Sequence, residues 1–169
     1  MPSLSFPRHS LPLAFGLALI IVACGPSTPS PETAKTSTGE SVAETKIRGS
    51  IEAFLRDPKK GKDASAILNF VGESSNVLVV FRESILSAEG STTEIDQLML
   101  VAFSAGNVRA QLDASTKEDM PLAGVRAMAE AYGKLKEKDP SLEIAKFEDY
   151  AARAKDGTLD AHVAELAAK

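Results

Sequence analysis

Few residues in this chain could do chemistry, and most of them stand alone. Cys24 is the single thiol in 169 residues, and the histidines are His9 and His162. A chain with those numbers builds no Cys/His metal cluster and no His-Glu-x-x-His helix. A Ser-His-Asp relay would have to use His162, yet there is no Gly-x-Ser-x-Gly elbow and no Ser-x-x-Lys. His162 therefore reads as a solvated or partly packed residue near the C-terminus. Gly61-Lys62 is followed by Asp63, and residue 56 is Arg where a phosphate-binding loop needs Gly. The cluster Lys59-Lys60-Gly61-Lys62 reads as a solvated turn. No catalytic, cofactor-binding or metal-binding set emerges, and no cofactor is implied.

Glu73-Ser74-Ser75 supports one enzymatic reading. It resembles the Glu-Ser pair at a helix end in lytic transglycosylases, and the resemblance implies a protonated Glu73 acting on a glycosidic oxygen in cell wall. The Gly-Leu-Met-Gln segment of that family is absent, and Ile95-Asp96-Gln97-Leu98 stands downstream instead. Aromatic residues to line a sugar groove are scarce. A helix-boundary pair is the better reading of Glu73-Ser74.

Cys24 is informative because of what precedes it. Residues 1–10 carry Arg8 and no acidic group, and Leu11 to Ala23 is apolar except for Pro12 and Gly16. As a helix that run spans ~20 Å, short of the ~30 Å hydrocarbon core of a bilayer. A basic start, a short apolar centre and small residues before a cut make a secretory signal. Ile21-Val22-Ala23-Cys24 resembles the lipobox of bacterial lipoproteins. The resemblance implies cleavage after Ala23 and fatty acylation (diacylglycerol, palmitate-type chains) of Cys24. Two or three acyl chains make membrane attachment effectively permanent. Gly25 rather than Asp after the cysteine implies outer-membrane sorting, on the periplasmic face, if the organism is Gram-negative.

From Cys24 onward there are 18 basic and 23 acidic residues, a net charge of −5. That balance disfavours nucleic acid and anionic lipid as charge-driven partners. Residues 24–41 form a Pro/Ser/Thr-rich stretch with no large apolar side chain, and it reads as a flexible tether. Residues 42–169 then suit a single domain with a core of Leu, Val, Ile, Ala, Met and Phe.

The periodicity predicts an all-α domain, a compact bundle or αα-hairpin array of about five to six short helices. Val42 to Arg56 is the first, stopped by Asp57-Pro58. Asp63 is the expected cap of a second helix ending near Gly72. A third is expected from Ser74 or Ser75 through Val77, Val80, Phe81 and Ile85. The run Val77-Leu78-Val79-Val80-Phe81 fits a buried strand equally on propensity, but no second strand is evident to pair with it. Thr92 or Thr93 caps a helix through Val108, on which Ala102 and Gly106 allow close approach of a neighbour. Pro121 starts another, ended by Asp139-Pro140. Ile144 to Ala154 closes at Gly157, and Thr158 is the expected cap of the last.

Two functional classes fit this pattern. The first is a tethered, non-enzymatic interaction or scaffold module with an envelope protein as partner. The second is a carrier of a small apolar ligand, with Val77 to Phe81 and Ile95 to Leu112 as cavity walls; plain core is the commoner meaning of such stretches.

Overall fold

The computed structural model describes residues 41–169, so the expected signal segment, Cys24 and the expected tether up to residue 40 lie outside the described residues. The described residues form seven α-helices and no strand. They are α1 (Val42–Arg56), α2 (Lys62–Glu73), α3 (Glu83–Leu86), α4 (Thr93–Ala114), α5 (Pro121–Lys138), α6 (Ala145–Asp156) and α7 (Leu159–Ala167).

Local chemistry sets most boundaries. Ser41 and Glu44 form a capping box: the Glu44 N–H donates to Ser41 Oγ at 3.1 Å, and the Ser41 N–H donates to Glu44 Oε2 at 2.9 Å. Thr92 Oγ1 accepts the Ile95 N–H and opens α4, while Pro121 occupies the first turn of α5. Gly157 closes α6 at φ 80°, a conformation that favours glycine. Two expected caps are not made. Asp63 lies within the first turn of α2, behind Gly61 as the capping position. The Thr158 hydroxyl donates back to Asp156 Oδ1 at 2.6 Å, leaving α7 without a side-chain cap.

α4 is the central element, packed against α1, α2 and α5. Every residue from Val101 to Val108 is buried, so this stretch of the helix is core on all sides. Its contact with α5 depends on small residues. A Cβ on Gly106 would overlap the Ala123 carbonyl oxygen and sit 2.6 Å from Ala127 Cβ; one on Gly124 would meet the Phe103 ring at 2.5 Å. The Ala102/Gly106 stripe thus serves helix packing. Around this pair, Phe54, Phe103, Tyr132, Phe147 and Tyr150 fill one continuous core.

The third expected helix is the main correction. Residues 77–82 are not helical, and the only helix in that region is the single turn α3. Nor does the β-branched run pair with a strand among the described residues. It is held by side chains of α4 and of the α4–α5 loop.

Candidate functional site: a clamped extended segment

Three polar residues interrupt the apolar surface of α4: Ser104, Asn107 and Gln111, all fully buried. Their spacing puts them on one side of the helix. Ser104 is satisfied locally, donating from Oγ to the Leu100 carbonyl at 2.9 Å. Gln111 reaches across to the segment. Its Oε1 accepts the Leu78 N–H at 2.9 Å, and its Nε2 donates to the Leu78 carbonyl at 2.7 Å. The carboxamide thereby makes both bonds that one residue of a neighbouring strand would make.

Asp119, just before α5, performs the same office two residues on. Its Oδ1 accepts the Val80 N–H at 3.2 Å and the Asn107 Nδ2 at 2.7 Å, and its Oδ2 accepts Arg82 Nη1 at 2.6 Å. Arg82 Nη1 also donates to the Val80 carbonyl at 3.3 Å. Asn107 Oδ1 accepts from Gln111 Nε2 at 2.5 Å and from the Met120 N–H at 3.0 Å, tying both clamps together. Asp119 is only 11% exposed in its side chain, so its pairing with Arg82 is well shielded. No buried side-chain nitrogen or oxygen lacks a partner among the described residues.

The clamped backbone presents apolar side chains to solvent. Val77 is buried, but Leu78 is 53% and Phe81 47% exposed. The inner side of Phe81 rests against Phe103, with ring centroids 6.3 Å apart. Close by, Asp119 also rims an open apolar groove of ≈ 390 Å³ between α5 and α7. Met120, Pro121, Leu122, Ala123, Val163 and Ala164 line it, and the Arg126–Asp160 ion pair, at 2.8 Å, stands at its edge.

The residues singled out by sequence lie elsewhere. Glu73 is exposed at the end of α2 and is not gathered with any polar group of the clamp. His162 is partly packed: its ring lies 6.0 Å from that of Tyr150, and Nε2 is 3.6 Å from Asp149 Oδ2. The basic turn Lys59 to Lys62 is exposed, as expected, and Lys138 with Lys59 holds the Asp57 carboxyl at about 2. Cys24 lies outside the described residues. Among the described residues no three His, Cys, Asp or Glu side chains converge as a metal site, and no helix is long and apolar enough to cross a membrane.

No family model, curated protein or solved structure matches the chain. The clamp joins no nucleophile to a base. It fixes a stretch of extended backbone at the surface, which is geometry suited to recognition.

Proposed function

We propose that this chain is a bacterial envelope lipoprotein, anchored through acylated Cys24, whose helical domain is a non-enzymatic interaction module. The observation that carries the reading is the clamp. Buried Gln111 and Asn107, with the largely shielded Asp119, hold a backbone segment whose Leu78 and Phe81 side chains face solvent. Exposed apolar side chains on a fixed scaffold suit docking, because little ordering entropy is lost on binding. The lipid and tether would confine the module to the membrane surface, on the periplasmic face of the outer membrane in a Gram-negative cell.

Crosslinking in cells tests both halves. Wild type should yield specific envelope adducts, Cys24→Ser should lose lipid mass and membrane fractionation, and Leu78→Ser/Phe81→Ser should lose the adducts while remaining anchored. Adducts that survive the double substitution would overturn the assignment of the surface. A wild-type protein without lipid would overturn the anchor.

The apolar groove between α5 and α7 favours carriage of a small apolar ligand as a second reading. Native mass spectrometry of purified protein would reveal a retained ligand under that reading and only protein mass under the first.

A further inference from the structure

The clamp engages one edge of the extended segment only. Leu78 and Val80, two residues apart, direct their backbone groups toward α4 and the α4–α5 loop. In extended backbone the intervening residues point the other way. Consistent with this, Val77, Val79 and Phe81 make no backbone hydrogen bond among the described residues. The segment thus behaves as a one-sided strand: its inner edge is satisfied by side chains, and its outer edge is unpaired, shielded at Val77, partly exposed at Val79 and exposed at Phe81. Protective devices common on exposed edges, namely proline, lysine or an inward charge, are missing from residues 77–81.

Building on the interaction-module reading of this surface, we propose that the outer edge pairs with the same edge of a second copy of this chain. The pairing is antiparallel, with its two-fold axis at Val79. That register places Val79 opposite Val79, Val77 opposite Phe81, and Leu78 opposite Val80. The unpaired N–H and C=O groups of residues 77, 79 and 81 then face one another as hydrogen-bonded pairs, Val77 being uncovered at its edge as the contact forms. Every side chain from 77 to 81 meets an apolar one, and Phe81 meets a β-branched residue, a favourable cross-strand combination. Arg82 falls opposite Asn76 and Glu83 opposite Ser75, so no like charges are juxtaposed. The sequence is self-complementary about Val79, as an isologous two-fold contact requires. Half-exposed Leu78 and Phe81 lie within the covered stretch.

The test uses the full chain with Cys24→Ser, so that an introduced thiol is the only one. Val79→Cys should give a disulfide-linked dimer on mild oxidation, since residues in a hydrogen-bonded pair have Cα atoms ~5.5 Å apart, within disulfide reach. Asn76→Cys should not, because its counterparts would lie about six residues apart along the ladder, roughly 20 Å. In sedimentation, the Cys24→Ser parent should show a concentration-dependent monomer–dimer equilibrium. Val79→Pro removes an N–H with no partner within the fold. It should weaken the dimer at least about tenfold while leaving the circular dichroism and melting temperature unchanged.

A parent that stays monomeric throughout, or equal crosslinking at positions 76 and 79, would overturn the dimer. If Val79→Pro instead abolishes the wild-type envelope adducts of a monomeric protein, the dimer fails but the interaction-module reading stands. If neither self-association nor adducts depend on this edge, both fail.

Discussion

The α4–α5 pair and the 77–82 segment are both apolar in sequence, yet they are built on opposite principles. In the helix pair the backbone satisfies itself, and side-chain size decides the fit: Gly106 and Gly124 let the helices approach until a single Cβ would collide. In the segment the backbone does not satisfy itself, and side chains 33 and 39 residues away complete it. The first arrangement follows from local periodicity. The second exists only once the fold has closed, so it should fail separately from the rest.

The sharpest way to break the comparison is at the helix pair. Gly106→Val should cost about 3 kcal/mol or more, because the obstacle includes a backbone carbonyl and not only a mobile side chain. Thermal or chaotrope unfolding would show a large loss spread over the whole domain. Gln111→Ala should cost about 2–3 kcal/mol by leaving the Leu78 N–H and C=O without partners. Its signature is local: amide exchange at residues 77–82 accelerates much more than in α5 or α6. Arg82→Ala should cost about 1–2 kcal/mol, through the loss of a charge-assisted bond to Asp119. It should loosen Val80 before Leu78.

A smaller effect probes the contact between the last turns of α5 and the first turn of α6. Tyr132 donates to Glu148 Oε1 at 2.8 Å and accepts the Ile144 N–H at 3.0 Å, fixing the start of α6. Lys136, and after it Tyr132, holds the Glu148 carboxyl below its ordinary value of 4.5. The unfolded chain therefore binds the proton more readily, so this contribution is complete above pH 4.5 and is lost as pH falls through the folded value. Lys136→Ala should lower the melting temperature slightly at neutral pH and converge with wild type in acid. The partly exposed position of the pair keeps the difference small.

Much of the fold was legible because its signals are local. Thr92, Pro121 and Gly157 mark boundaries by their own hydrogen-bonding and φ preferences, whereas the Ser41–Glu44 capping box is hidden by the composition that places residue 41 in the expected tether. Thr158 marks the start of α7 as expected, but its hydroxyl bonds to Asp156 instead of capping the helix, a competition that a capping pattern does not reveal. Val77 to Phe81 misled for a deeper reason. A β-branched apolar run calls for extended backbone, and with no second strand present a helix is the default reading. The polar partners were visible as Asn107 and Gln111, four residues apart on the buried stretch of α4, with Asp119 ahead of Pro121. Polar residues within an apolar helix were the available sign that something non-helical had to be hydrogen-bonded there.

The central claim is that 77–82 is a strand edge held from one side only. Residue-resolved amide exchange on dilute protein tests it most directly. The account predicts an alternating pattern, with Leu78 and Val80 protected and Val79 and Phe81 exchanging fast. Uniform protection from Val77 to Phe81 would indicate a helix, and uniform fast exchange would indicate that the clamp does not form; either result would contradict the account.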